Sequence, residues 1–266
     1  MVGTRRRFAI GACAAASWLA AGRSAGAQAA PKTVIIGTGN QMKPYCYVND
    51  DGELAGYEIE VLKAINAKLP QYRFDIVVQE FYNLFLGLDS GKLDVAAHQI
   101  EKNPLRASKY LYADEGYTNY SLHLVVRADR NDIAGLDDLK GKTMTTGAGS
   151  NSAYLLTEYN KAHGNAIRIK YASGIEALSS VDDIATGRTD AVLMIRRNVE
   201  GLNKTFGNRL KIVGPPVSTS HAYHIFRRDE VQLKDDFDIA LRQLKADGTL
   251  SRLSIDILGG DYVEQE

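Results

Sequence analysis

From Thr33 to Ile100 the apolar positions alternate between two periods. Thr33-Val34-Ile35-Ile36-Gly37 is a short continuous apolar run closed by glycine, which predicts a buried strand. Tyr57, Val61, Leu62, Ile65 and Leu69 then fall on one helical stripe, predicting a helix over 57–69. Residues 74–78 return to a strand, 82–88 form a short helix ending near Gly91, and 93–100 read as the next strand. The same order restarts at Gly135. Residues 136–139 read as a short helix, 143–146 as a strand, 151–163 as a helix, 167–171 as a strand, 177–185 as a helix and 190–195 as a strand. Alternation of this kind predicts α/β sheets.

One phrase occurs in both halves. Asp89-Ser90-Gly91-Lys92-Leu93-Asp94-Val95-Ala96 matches Ala185-Thr186-Gly187-Arg188-Thr189-Asp190-Ala191-Val192. Each copy ends a helix with a glycine suited to the left-handed cap, places a cation near the helix C-terminus, and opens a strand. The pairing predicts two lobes. The apolar segment 120–126 is the expected crossing from one to the other, and Pro215-Pro216 with 217–225 the return. A C-terminal helix over 236–257, broken at Ala246-Asp247-Gly248-Thr249, is expected to pack on the first lobe. The expected division is residues 30–120 plus 223–266 for lobe 1 and 121–222 for lobe 2. Two lobes on two extended crossings form a hinge, and such clefts hold small ligands.

Composition narrows the partners. The chain has 266 residues, 45% hydrophobic and 24% charged, with 32 basic and 32 acidic side chains. The first 27 residues hold four arginines and no acid, so the remainder carries a net charge of −4. A mildly acidic body gives no footing for nucleic acid or an anionic membrane. Arg5-Arg6-Arg7, an apolar stretch to about Ala21 and Ala25-Gly26-Ala27 read as a cleaved export signal over residues 1–27, implying a periplasmic protein. Thr4-Arg5-Arg6-Arg7-Phe8 also resembles the twin-arginine pattern, and the general secretory route stays open beside it. With Cys13 inside the signal, Cys46 is the one thiol left, which excludes an internal disulfide and makes metal or redox chemistry a poor fit. No cofactor or metal is expected.

Several motifs follow one another in a familiar order. Gly56-Tyr57-Glu58-Ile59-Glu60-Val61 resembles the opening of family 3 bacterial solute-binding proteins. The resemblance continues through Phe81-x-x-Leu84-Phe85-x-Gly87-Leu88, Gln99-Ile100-Glu101-Lys102-Asn103-Pro104-x-Arg106, Leu136-Asp137-Asp138-Leu139-Lys140-Gly141-Lys142, Gly149-Ser150-Asn151 and Asp247-Gly248-Thr249-Leu250-Ser251. The Gln99–Arg106 run and Gly260-Asp261-Tyr262 look most like the cystine and polar amino-acid branch. The resemblance implies a two-lobed periplasmic-binding-protein fold of venus-flytrap type. It also implies a small amino-acid-like ligand handed to the membrane subunits of an ABC importer, with a monomer expected.

The resemblance puts Arg106 where relatives grip the ligand's α-carboxylate, and a guanidinium fork matches a carboxylate bidentately. Phe81 aligns with the apolar wall beside the ligand, and Tyr45 stands near the first strand's end; both residue types serve equally well in a core. Ser150, Asn151 and Ser152 open a helix after two glycines, where backbone N–H groups suit an anion and Ser150 also suits an N-cap. His98, Gln99 and Glu101 sit at a strand's C-terminal end, the usual ligand side of an α/β sheet.

Two departures qualify the ligand. Relatives place an aspartate after the Asp-Ala strand to pair with the α-ammonium; here Ile195 stands there, followed by Arg196 and Arg197. Glu101 is then the expected ammonium partner. The two arginines, Arg196 first, are expected to form a cationic edge favouring a ligand with a second carboxylate. A cyclohexadienyl-dehydratase-like enzyme, with Glu101 or His98 as acid, and a soluble sensor on the same fold are the rival readings. His221-x-x-His224 offers no metal pair, because i and i+3 face opposite ways on a strand.

Overall fold

The computed structural model describes Met1 and residues 30–172, 182–207 and 209–264. The export signal read over 1–27 lies outside the described residues apart from Met1, as does most of the helix expected at 177–185. The compact unit that carries the fold is Pro31–Glu266.

In chain order, β1 (Lys32–Thr38) precedes a small antiparallel sheet of β2 (Gln41–Met42), β3 (Cys46–Val48) and β4 (Leu54–Ala55). Next come α1 (Tyr57–Lys68), β5 (Tyr72–Val78), α2 (Phe81–Asp89), β6 (Val95–Glu101), the single-turn α3 (Pro104–Ala107), β7 (Leu111–Tyr112) and β8 (Thr118–Asn119). The second half runs β9 (Leu122–Arg127), a 3-10 turn at Leu136–Leu139, β10 (Thr143–Gly147), α4 (Asn151–Ala162), β11 (Arg168–Ala172), β12 (Ala191–Ile195), α5 (Arg196–Phe206) and β13 (Leu210–Ser218). β14 (His221–Phe226), α6 (Val231–Ala246) and α7 (Thr249–Leu258) complete the fold.

The expected two-lobed α/β architecture is present, and the lobes follow one plan. In the first sheet β5, β1 and β6 are parallel neighbours, and β14 lies antiparallel against β6. In the second sheet β11, β10 and β12 are parallel neighbours, and β9 lies antiparallel against β12. Parallel neighbours need crossover connections, which the intervening helices supply; the antiparallel strand in each sheet is the one that has just crossed over from the other. The crossings fall between β8 and β9 and between β13 and β14, with His221 paired to Asn119 and Ala222 to Thr118 in the first sheet.

The repeated phrase turns out to be a sheet fastening. Gly91 and Gly187 both have left-handed φ, 70° and 74°, as helix-ending glycines do. Three residues later, Asp94 Oδ2 accepts from the Ile35 N–H at 2.8 Å and Asp190 Oδ2 from the Thr143 N–H at 2.8 Å. Each carboxylate thereby pins its lobe's neighbouring parallel strand, β1 at its middle and β10 at its start, and each is paired with an arginine, Arg227 and Arg130 respectively.

The C-terminal helix begins earlier than its charge pattern indicated. Lys234, Asp235 and Asp236 mask a stripe in which Leu233, Phe237, Ala240, Leu241 and Leu244 are buried. Phe237 lies 5.2 Å from Phe74 and 5.1 Å from Phe226, ring centre to ring centre, so α6 closes the first lobe's core as expected. Burying a side chain of this size stabilises by roughly 1.5–3 kcal/mol. The break before α7 falls at Gly248, φ 74°. The β2–β4 sheet went unread in the sequence; its turn is held by Asn49 Oδ1, which accepts from the Asp51 and Glu53 N–H groups. Among the described residues no helix is long and apolar enough to cross a membrane.

Candidate functional site

Arg106 owes its position to one turn of helix. Asn103 caps α3 by accepting from the Arg106 N–H at 2.9 Å, and Pro104 fits the first helical position. The turn follows directly on β6 and swings the Arg106 side chain back over the strand's end. There its guanidinium lies 5.6 Å from the Phe81 ring centre and 5.0 Å from that of Phe85. It is only 6% exposed. Nη1 donates to the Glu101 carbonyl at 3.0 Å, and Nη2 reaches across to the Gly149 carbonyl in the second lobe at 2.8 Å. A guanidinium carries five N–H groups, so further donors remain for a carboxylate.

Glu101 sits beside this cation in full burial. Burial pushes its carboxyl up to about 7, against the pull of Arg106 and a hydrogen bond from Asn151. Asn151 also accepts from Asn103 Nδ2 at 3.0 Å, a second direct tie between lobes. Ser150 caps α4 by accepting from the Ala153 N–H at 3.1 Å, and its hydroxyl lies 3.1 Å from that of Thr146. Capping is thus realised, while the half-buried Ser152 occupies the same first turn. The structure therefore brings together Arg106, Glu101 and Phe81 from lobe 1 with Ser150, Asn151 and Ser152 from lobe 2. His98 joins them through its ring, 5.4 Å from that of Phe81. Its Nδ1 accepts from the Gly39 N–H and lies 3.1 Å from Cys46 Sγ, and burial lowers its pKa. The thiol is buried and pushed up to about 12, which keeps it protonated and unreactive.

Three expected residues lie elsewhere. Gln99 has φ 50°, a rare backbone for a side-chain-bearing residue, and both its main-chain N–H and its Nε2 donate to Glu58 Oε2. Its amide is thereby turned into the core of the first lobe. Tyr45 is 1% exposed, with its hydroxyl accepting from Arg197 Nε. Arg196 is exposed. The cationic edge expected from both arginines is corrected to Arg196 alone, because α5 starts at Arg196 and its turn directs Arg197 toward the first lobe.

Tyr120 lies on the first crossing, and the sequence marks it as nothing more. Burial raises its hydroxyl pKa, with Glu101, Tyr45, Arg197 and Arg106 all acting on it. Asn103 is a further site residue that the motif alone does not single out; its signal in the sequence is the Asn-Pro pair that caps α3.

The arrangement has a buried guanidinium, a buried carboxyl and a helix N-terminus converging from two lobes, which suits a small zwitterion. Among the described residues no cluster of His, Cys, Asp and Glu is placed to hold a metal. Residues 34–259 match the bacterial extracellular solute-binding proteins, family 3. The L-cystine-binding protein TcyJ of Bacillus subtilis is 41% identical over 231 residues, covering 87% of this chain and 86% of that protein. TcyK of the same organism, also an L-cystine-binding protein, is 36% identical over 235 residues, covering 88% and 87%. A solved structure described in connection with glutathione import via GshT and the cystine ABC importer TcyBC of Streptococcus mutans matches with a TM-score of 0.80 and 30% identity, over 88% of this chain and 98% of that one.

Proposed function

Since the chain belongs to the family 3 bacterial extracellular solute-binding proteins, we propose that it binds L-cystine, or a closely related polar amino acid, between its lobes and delivers it to an ABC importer. The observation that carries this reading is the convergence of Arg106 and Glu101 with the start of α4. Arg106 grips the ligand's α-carboxylate, and the α4 N-terminus with Ser150, Asn151 and Ser152 faces it from the second lobe. Glu101 takes the ammonium in place of the aspartate that Ile195 replaces, and Phe81 and His98 form the wall. In this reading the lobes comprise residues 30–120 with 223–266 and residues 121–222. Residues 1–27 direct export to the periplasm, and the partner is the importer's membrane subunits.

Thermal unfolding of the mature chain against a panel tests the ligand. With L-cystine at about 100 times its dissociation constant, the expected stabilisation is about 2.7 kcal/mol. L-arginine and L-glutamate should stabilise less. Glutathione is included because of the Streptococcus mutans relative. No shift with L-cystine alongside a clear shift from another compound would overturn the assignment.

The raised Glu101 pKa gives a second expectation. Its folded value, about 7, lies above the ordinary 4.5, so its contribution to stability is present at low pH and is lost as pH rises through about 7. Arg106 and Asn151 act on this carboxyl, and the Tyr112 and Tyr120 hydroxyls feel its charge. A ligand ammonium favours the ionised form, so L-cystine should bind roughly tenfold more tightly at about pH 8 than at about pH 6. Glu101→Gln should flatten that profile in calorimetry; an unaltered slope in the variant would show that Glu101 is not the partner.

A further inference from the structure

The lobes also meet at a place the ligand reading does not use. Arg197, in the first turn of α5, belongs to the second lobe, yet all of its hydrogen bonds go to the first lobe and its edge strand. Nε donates to the Tyr45 hydroxyl, Nη1 to Asn119 Oδ1 at 2.9 Å, and Nη2 to the Asn119 carbonyl at 3.0 Å. The guanidinium also packs against two rings, 5.4 Å from the centre of Tyr45 and 4.9 Å from that of Tyr262.

The Tyr262 ring is held for this contact by a built turn. Ser254 Oγ donates to the Gly260 carbonyl at 2.6 Å and accepts from the Tyr262 N–H at 2.9 Å. The Tyr262 carbonyl accepts from the Asn119 N–H at 2.6 Å, and Val263 next to it is buried. A side chain on Gly260 would press on the Tyr262 ring at 3.0 Å. The Gly260-Asp261-Tyr262 motif thus has a physical use: it fixes an aromatic face and, through Asn119, the oxygens that the guanidinium fork engages. With a longer 3.5 Å contact from Nη2 to Thr118 Oγ1, the planar fork engages four acceptors while lying against two rings; a lysine ammonium has three donors and no plane.

We propose that Arg197 is an interlobe clasp, a positioning residue that holds the closed form and sets how fast ligand leaves, without touching the ligand. The clasp joins groups from both lobes, so opening the cleft stretches it, and closure restores it. The effect on ligand release rests on the binding function proposed above; the effect on opening rests on the fold alone.

The test uses the mature chain with nitroxide labels on Lys63→Cys in α1 and Lys161→Cys in α4, both exposed, while buried Cys46 stays unlabelled. Interlobe distances are measured by electron double resonance in the Arg197→Lys, Tyr45→Phe and Tyr262→Leu variants, without ligand and with L-cystine. Stopped-flow L-cystine binding follows in parallel. The expected result is a ligand-free distribution displaced to longer distances. Release should be about tenfold faster with the association rate within about threefold of the parent. Unfolding midpoints close to the parent's separate this from a stability defect, and Tyr262→Leu carries the test if an arginine variant does not fold. Parental distances in the folded variants overturn the clasp, and so do altered distances with an unchanged release rate. Should L-cystine fail to bind the parent, the ligand assignment falls, while the ligand-free distances still decide whether Arg197 holds the lobes.

Discussion

Replacing Arg106 by alanine should abolish most L-cystine binding while leaving a folded protein. The guanidinium is buried, flanked by Phe81 and Phe85, and tied to carbonyls of both lobes. A ligand carboxylate closed into this site without it would be desolvated and unpaired, at an expected loss of roughly 3–5 kcal/mol, several hundred-fold or more in affinity. Arg106→Lys keeps the charge and gives up the fork, so it should fall between the two. The lost tie to Gly149 adds a smaller effect, a faster opening of the empty cleft. Calorimetry with L-cystine checks the first, and a loss below tenfold in Arg106→Ala would remove Arg106 from the carboxylate grip.

How far the sequence exposed this site depends on what fixes each side chain. Arg106 was legible through the resemblance carried by the Gln99–Arg106 run; the structure adds the local cause, a helical turn started by Asn103-Pro104 that swings the side chain over the strand it follows. Ser150–Ser152 were legible as a helix start after two glycines. Arg197 was not, since its direction depends on the phase of α5. Ile195 is the extended N-cap residue, which makes Arg197 the second residue of the helix. Gln99 misled because a place at a strand's C-terminal end does not fix which way a side chain turns; with φ at 50°, its amide goes to Glu58 in the core. The lobes themselves were legible twice over, through alternating periodicity and through the Gly-x-x-Asp phrase. The use of its aspartate as a fastening to β1 or β10 needed the partner strands in view. Glu58 shows the limit most clearly. In the sequence it is one letter of an opening motif, and its partners lie 41, 59 and 166 residues away.

That carboxylate should prove the most sensitive single position for stability. Glu58 is 0% exposed on α1 and accepts from the Tyr117 hydroxyl at 2.6 Å, the Gln99 N–H at 3.1 Å, Gln99 Nε2 at 3.2 Å and His224 Nε2 at 3.3 Å. The His224 ring in turn stacks on Tyr117, 4.3 Å between centres. These partners lie at the end of β6, just before the first crossing, and on β14 just after the second, so one carboxylate ties α1 to both arms of the hinge. Glu58→Ala leaves a hydroxyl, a main-chain N–H and an imidazole unpaired in the core. The expected loss is about 3–5 kcal/mol, or roughly 6–20 °C in unfolding midpoint for a chain of this size. The dependence on pH identifies the cause. Burial alone would raise the Glu58 pKa, but the hydrogen bonds from His224, Tyr117 and Gln99 hold it below its ordinary 4.5. Its contribution is therefore present above about pH 4.5 and is lost as the pH falls through the depressed folded value. Glu58→Gln, which keeps the shape but forces an NH2 toward donors, should be markedly less stable than the parent at neutral pH, and the gap should shrink on acidification. Urea unfolding of both proteins from neutral to acid pH reads this directly. A gap that stays constant across that range, or a midpoint change under about 2 °C at neutral pH, would mean the carboxylate is not what holds the hinge arms together.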